Sequence, residues 1–324
     1  MTFRSKIAPA LLLAWVAALV PLQASGQPYP NHPIRLVVGF APGGGTDIIA
    51  RLTAQYLSAR IGQPVVVDNK PGAGGNIASE IVAKAPPDGY TLLLAPNTVT
   101  ITPYLYRKVD VDVTKELRGV GMIATSPIII VANPAIPVHN LAELMVYAKQ
   151  NPGKLTYGTP GIGTPQHLAV ELFKSMAGVD LVHVPYKGSS QSLADLIAGH
   201  IALASAAINS AEPFIKSGKV RGIAVADGKR VSALKELPAI GEVVNGYEVG
   251  IWYGIMAPAQ TPRDIVTRLN QELAKAVASP EMAERMSAQG YETVIGSSDD
   301  MDATVRADLD KWGKVVKSAG IVPE

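Results

Sequence analysis

The sequence predicts an α/β protein built as two lobes, and three observations carry that expectation. Strand-length apolar runs alternate with amphipathic helical stretches along most of the chain, the rhythm of βαβ units. The chain has 324 residues. About 298 remain once a 26-residue leader is set aside, a length that favours two domains over one. Two segments also echo each other: "VVGFAPGGGTDIIARL" and "TYGTPGIGTPQHLAVEL" are each strand, Gly/Pro-rich turn, threonine and helix. The echo places equivalent turns, at Thr46 and Thr164, in two similar lobes.

The leader comes first. "MTFRSK" is basic, "IAPALLLAWVAALVPL" is apolar and "QASGQ" is small and polar, the layout of a secretory signal peptide. Its apolar run of about 16 residues, with Pro9 and Pro21, is short of the roughly 20 that span a bilayer. Cleavage after Ala24 or Gly26 is expected, which would place the mature protein in the periplasm.

The first strand reads "IRLVVGF", and the helix "TDIIARLTAQYLSARIG" follows with Ile48, Ile49, Leu52 and Tyr56 at helical spacing. Then come "PVVVDN" as strand, "NIASEIVAKAP" as helix and "YTLLLAP" as strand. A second series opens with the strand "PIIIVAN" and the helix "NLAELMVYAKQ". It runs on through "LTYGTP", "TPQHLAVELFKSMAG", "LVHVPY", "SSQSLADLIAGH", "IALASA" and "VRGIAVA". Parallel or mixed sheets with helices on both faces are expected. The last third is helical. Thr261 is read as a cap with Pro262 in the first helical position, and Ser279–Pro280 opens another helix the same way. A final helix carries the stripe Met301, Val305, Leu309, Trp312 and Val316, expected to lie across a sheet.

Composition excludes several functions. Without Arg4 and Lys6 the 29 basic residues become 27, equal to the 27 acidic ones, and no basic stripe is visible. A nucleic-acid partner is therefore not expected. Cysteine is absent, which rules out disulfides, thiolate metal sites, cysteine nucleophiles and lipid attachment at cysteine. No nucleotide fingerprint is met: "GGGTDI" lacks the third glycine of G-x-G-x-x-G, and "GAGGNI" ends in Ile77 where that glycine would fall. No G-x-x-x-x-G-K-[ST], G-x-S-x-G or H-E-x-x-H occurs, and the histidines are scattered. No cofactor or metal is expected, and enzyme activity is not expected either, a secreted hydrolase being the least favoured of the readings.

The glycine turns "PGGGTD", "PGAGGN" and "PGIGT" each follow an expected strand. In open α/β sheets ligands sit beyond the carboxyl ends of the strands, where such turns lie. A helix N-terminus there offers unpaired N–H groups and about half a positive charge. Glycine lets the backbone approach an anion with no Cβ in the way. Hydrogen bonds to a charged group contribute roughly 1.5–3 kcal/mol each, so four give about 6–12 kcal/mol gross against the roughly 8 that micromolar binding needs. An anion site therefore needs no arginine clamp. Each turn read singly is as well explained as a tight strand-to-helix turn.

Taken together and in order, these segments resemble the Bug family of periplasmic solute-binding proteins, the receptors of tripartite tricarboxylate transporters. The resemblance rests on "YPNHPIRLVVGFAPGGGTDIIAR", "VVVDNKPGAGGNIASEIVAKAPPDGYTLLL", "GTPGIGTPQHLAVELFK", "VHVPYKGSSQSLADLIAGH", "GKVRGIAVADGKR" and "APAQTPRDIVTRLNQEL", nearly the whole mature chain. It implies a two-lobed periplasmic binding protein of type II-like form, each lobe a mixed sheet flanked by helices, with the ligand cleft between them. Lobe 1 would comprise residues 27–126 plus 253–324 and lobe 2 residues 127–252, with crossings near Ser126 and Trp252. A small carboxylate would be held largely by loop amides. First-lobe contacts are placed at Pro42, Gly43, Gly44, Gly45, Thr46, Asp47, Gly72, Gly74, Gly75, Asn76, Asn97 and Thr98. Gly161, Gly163, Thr164 and His167 would face them, with Tyr186 and Lys187 nearby. The implied partners are the membrane subunits of the transporter or, as the alternative output, a membrane sensor kinase. The chain departs from the family pattern at Ala202 and Ala239.

Residue chemistry leaves two readings for several of these. Thr46 and Thr164 either donate a hydroxyl to the ligand or cap a helix. Asp47 either stabilises a helix start or meets a ligand ammonium. His167 is aimed at the cleft or hydrogen-bonded structurally, and His183 is read as a satisfied core residue. Trp252 and Tyr253 are read as hinge packing.

Overall fold

The computed structural model describes residues 29–186, 188–231 and 234–323, so the expected leader and Lys187 lie outside the described residues. Along the chain the elements are β1 (Ile34–Val38), α1 (Gly45–Ile61), β2 (Val65–Asn69), α2 (Asn76–Ala83), β3 (Thr91–Pro96), α3 (Thr98–Ile101), α4 (Val113–Glu116) and β4 (Leu117–Ser126). There follow β5 (Ile128–Ala132), α5 (Leu141–Gln150), β6 (Thr156–Thr159), α6 (Pro165–Ala177), β7 (Val182–Pro185), α7 (Ser189–Ala198), β8 (Leu203–Ala207), α8 (Ile208–Lys216) and β9 (Arg221–Val225). The chain ends with β10 (Ile251–Pro258), α9 (Arg263–Val277), α10 (Pro280–Ser287), β11 (Glu292–Thr293) and α11 (Ser298–Ser318).

Two mixed sheets result. One has the order β11-β4-β10-β3-β1-β2, the other β7-β6-β8-β5-β9. In the first, β1 pairs parallel with β2 and β3; in the second, β6 pairs parallel with β7 and β8. Each parallel trio therefore points its carboxyl ends, and the turns after them, the same way. Strands β4, β10 and β5 run antiparallel to their neighbours and make both sheets mixed. The chain passes between sheets at Pro127, between β4 and β5, and returns into β10, where Ile251 pairs with Ser126.

Strands β4 and β10 are interrupted by glycine, at Gly119 and Gly121 in β4 and at Gly254 in β10. Both pack tightly: a Cβ on Gly119 or Gly254 would approach Met301 of α11 to 2.8 or 2.6 Å, and one on Gly121 would approach Asn270 of α9 to 2.6 Å. The final helix lies across the sheet as its stripe predicts. Met301 and Val305 join Val37, Leu93 and Trp252 on one face, while Trp312, Val315 and Val316 join the other large cluster. It also meets α6 beside the second sheet, so α11 bridges the two sheets. The expected cap Thr261 does not cap: α9 starts after Pro262, and the Thr261 hydroxyl is buried without a hydrogen-bond partner. Ser279 and Ser297 do cap α10 and α11 through hydrogen bonds from Met282 and Asp300 amides.

Candidate ligand-binding cleft

Helices divide by where their N-termini point. Those away from the carboxyl ends of the parallel strands are mostly closed by a side chain: Asp112 for α4, Asn140 for α5, Ser279 for α10 and Ser297 for α11. Those that follow the parallel strands mostly are not. The residues before α1, α2, α3, α7 and α8 are Gly44, Gly75, Asn97, Gly188 and Ala207, and none supplies a side-chain cap. Orphan N–H groups with no cap are an anion-binding arrangement when several converge.

The turn after β1 is the most open. Pro42, Gly43 and Gly44 are exposed, and Gly45 and Thr46 are half-buried. Among the described residues the amides of Gly44, Gly45, Thr46 and Asp47 have no hydrogen-bond acceptor, and neither does the Thr46 hydroxyl. Thr46 lies inside the first turn of α1 rather than capping it. Asp47 is turned inward, its side chain 3% exposed. One carboxylate oxygen accepts from the Gly43 amide and Arg51 Nε, both at 2.8 Å, and the other from Asn69 Nδ2 at 2.9 Å. Burial raises the Asp47 pKa, but the hydrogen bonds from Arg51, Gly43 and Asn69 outweigh it and hold the carboxyl below its ordinary range. Asp47 thus braces the turn, and the Gly43 amide is spent on it.

The turn after β2 packs directly on this one: a Cβ on Gly39 would come 2.6 Å from Gly75 Cα. Gly74 and Gly75 hold φ of 64° and 103°, which only glycine adopts cheaply. Gly72 accepts from the Gly75 amide through its carbonyl at 2.9 Å. Asn76 Oδ1 accepts from the Thr102 hydroxyl at 2.8 Å, and its Nδ2 is buried without a partner. Gly39, Phe40, Gly74, Gly75 and Thr98 enclose a void of about 10 Å³, the size of one water. Asn97 is fully buried, and its side chain reaches the hinge: Nδ2 donates to the Gly250 carbonyl at 2.8 Å, and its amide donates to Trp252 at 3.1 Å. Its Oδ1 has no partner.

The turn after β6 behaves differently from its sequence echo. The Thr164 hydroxyl donates to Gly161 O at 2.8 Å and accepts from the His167 amide at 3.3 Å, capping α6. The Gly163 amide donates to His167 Nδ1 at 3.0 Å, and the Gly161 amide to the Thr159 hydroxyl at 3.3 Å. This turn satisfies most of itself, whereas the turn before α1 leaves its donors open. Of the two readings of Thr164, capping is the one its hydroxyl makes among the described residues. Thr164→Ala is accordingly expected to lower stability by about 1 kcal/mol, with Thr164→Ser neutral, in urea denaturation.

Beneath that turn lies a ring stack. His167 and His183 are stacked with centroids 3.9 Å apart, and Tyr157 stacks on His183 at 4.9 Å. His183 Nε2 is 2.6 Å from the Thr159 hydroxyl, so the ring is satisfied as expected, though it is half-buried rather than part of the core. His167 Nε2 lies 3.9 Å from Glu171, which also meets the Tyr157 hydroxyl and Lys174 Nζ, the latter at 2.8 Å. Burial, joined by the His183 and Lys174 charges, pushes His167 down to about 3. Burial likewise lowers His183 to about 4 despite the opposing pull of Glu171. Both rings are neutral at pH 7. Tyr186 donates its hydroxyl to Asp195 at 2.7 Å and lies behind the Gly161 turn.

Two contacts between the lobes, and one within the first lobe beside them, were not legible in sequence. Gly163, with φ of 72°, lies against Leu105: a Cβ there would be 2.0 Å from Leu105 Cδ1. Asn209, which opens α8, donates to the Gln289 carbonyl at 3.0 Å. Tyr291, beside it, touches the first residue of α1, Gly45. A larger cavity of about 230 Å³ lies at the hinge between Ser126, Asp227, Glu248, Trp252 and Asp308. Trp252 Nε1 donates to Asp308 there at 2.7 Å. Its lining holds the carboxylates of Asp227, Glu248, Glu292 and Asp308 against one lysine, Lys311, which is paired with Asp308 at 2.8 Å.

Known proteins share this fold. A family model described as tripartite tricarboxylate transporter family receptor matches residues 49–321. BugT of Bordetella pertussis is 33% identical over 301 residues, covering 91% of this chain and 92% of BugT. A structure of Rpa4515 from R. palustris with adipate is 39% identical with a TM-score of 0.78, covering 91% of this chain and all of that one (100%). MatC from Rhodopseudomonas palustris with bound malate is 28% identical with a TM-score of 0.73, covering 89% of this chain and 100% of that one.

Proposed function

The chain belongs to the tripartite tricarboxylate transporter receptor family, and from that premise we propose that it is a periplasmic receptor for a small carboxylate, which it delivers to the membrane subunits of such a transporter. The observation that carries the reading is the set of uncapped helix N-termini after the parallel strands of both sheets. The turn before α1, with four unpaired amides and the Thr46 hydroxyl, takes one carboxylate group. Four charge-assisted hydrogen bonds supply about 6–12 kcal/mol gross, enough for a micromolar receptor once ordering costs are met. Relatives that carry adipate and malate support a dicarboxylate as the ligand class. Of the remaining residues expected at the site, Gly72, Gly74, Gly75 and Asn76 shape the neighbouring turn, while Asn97, Gly163 and His167 position the walls. The lobes divide near Ser126 and Trp252, and closure between them encloses the ligand. No helix among the described residues is long and apolar enough to cross a membrane; the leader is assigned to export.

A thermal-shift panel of adipate, malate, citrate, aspartate, benzoate and nicotinate tests the reading. At 100 times its dissociation constant a binding acid adds about 2.7 kcal/mol of stability, a readily measured rise in Tm. Adipamide, which keeps the shape of adipate and removes its charge, is expected to leave Tm unchanged. A panel in which no acid shifts Tm, or in which adipamide equals adipate, would sink the proposal. Pull-down by transporter membrane subunits against a sensor-kinase domain separates delivery from signalling.

A further inference from the structure

Between the open N-terminus of α1 and that of α8 in the other lobe lies one short segment, Gln289–Gly290–Tyr291. Tyr291 is 3% exposed and holds an edge-on contact with Tyr253, centroids 5.8 Å apart. Its hydroxyl sits against Gly45 so closely that a Cβ there would come within 2.6 Å of it. Burial raises the phenol pKa, and a hydrogen bond from Asn209 lowers it only partly, so the hydroxyl keeps its proton at neutral pH. Asn209 arrives from the second lobe. Its Nδ2 donates to Gln289 O at 3.0 Å, and the fit is tight enough that a Cβ on Gly290 would come 2.6 Å from Asn209 Cβ. A tyrosine hydroxyl has one proton to give and can also accept. Asn209, held against Gln289 and Gly290, is the neighbouring polar side chain that lowers the phenol pKa, while the hydroxyl proton has no acceptor among the described residues.

We propose that Tyr291 is a positioning residue that couples carboxylate occupancy to closure of the lobes. Its hydroxyl donates to the carboxylate held by the α1 amides and accepts from Asn209 of the opposite lobe. Occupancy polarises the hydroxyl, strengthens the Asn209 contact and so favours the closed form. This rests on the carboxylate-receptor reading and deepens it, by assigning the site a donor and a closure sensor from distant parts of the chain.

The test uses the tightest-binding acid of the six-member panel on the mature protein and its Tyr291→Phe, Asn209→Ala and double variants. Calorimetry gives affinity, stopped flow gives rates, and small-angle scattering gives the compaction on binding. Tyr291→Phe is expected to weaken binding 10- to 100-fold. Asn209→Ala should speed dissociation about tenfold with association unchanged, because it acts on the closed form. Both should reduce the compaction, and the double variant should be little worse than Tyr291→Phe alone. Apo Tm values within a few degrees of the parent keep a folding defect from imitating the effect. If the parent binds and compacts while Tyr291→Phe does so equally well, the inference falls and the receptor reading stands. If the two losses multiply, the residues act independently and coupling through Tyr291 is overturned. If the parent binds no acid, both readings fall together.

Discussion

A methyl group at Gly163 is expected to hold the two lobes apart and to cut carboxylate affinity by about 100-fold or more. Two effects act at this position. The backbone sits at φ of 72°, where an L-residue is disfavoured by roughly 1–2 kcal/mol. The added Cβ would also lie 2.0 Å from Leu105 Cδ1, and Leu105 belongs to the other lobe. The first effect lowers stability with or without ligand; the second bears only on approach of the lobes. Leu105→Ala in the same chain removes the obstruction and should restore much of the affinity while leaving the backbone cost in place. Calorimetry and urea denaturation of the single and double variants separate the two. An unrescued double variant would mean that the loop, rather than lobe contact, limits binding.

Stability should also fall steeply as pH drops below about 6.5, before carboxylates begin to titrate. His167 and His183 have folded pKa values of about 3 and about 4, against an ordinary value near 6.5. Between those limits the unfolded chain binds protons that the folded chain refuses, so unfolding is favoured as pH falls. Above about 6.5 both states hold neutral rings and the effect vanishes. Each histidine contributes about 1.4 kcal/mol per pH unit inside the window. The groups that face the pair are Glu171, Lys174 and the Tyr157 hydroxyl, and none offers an imidazolium a free carboxylate: Glu171 is already engaged by both others. Urea titrations of the apo protein from pH 8 to 4.5 check this. His183→Gln should remove about half the slope, and an unchanged slope would show that the rings accept protons in place. Asp47, whose folded pKa is depressed, stabilises above the usual carboxylate range and loses that contribution only as pH falls through its folded value.

The strands read most easily from sequence were those buried on both faces, such as β1, β3 and β5, because cover on both sides leaves no polar alternation. Strands β4 and β10 escaped because Gly119, Gly121 and Gly254 replace the side chains that would mark a strand; the reason is close approach of α9 and α11, which no local pattern announces. The glycine turns were legible as turns. Which of their amides remain open was not, since Gly43 is satisfied by Asp47 and Gly163 by His167, partners whose orientation depends on the fold. Thr46 and Thr164 look alike in the echo, yet only Thr164 caps a helix, because α1 begins one residue before its threonine and α6 one residue after. Tyr291 and Asn209 carry no signal at all in sequence. They meet because β11 joins the edge of the first sheet beside β4, whose end leads straight into the second.

The pairing of Ile251 with Ser126 sets both chain crossings side by side. In the closure we propose, the parts of the lobes far from these crossings travel farthest, as the tip of a jaw does relative to its joint. With no native thiol in the chain, cysteines placed at exposed Ile77 and Ile162 would accept a donor and acceptor dye at unique positions. Such a labelled protein would report solute capture as a change in energy transfer, one molecule at a time.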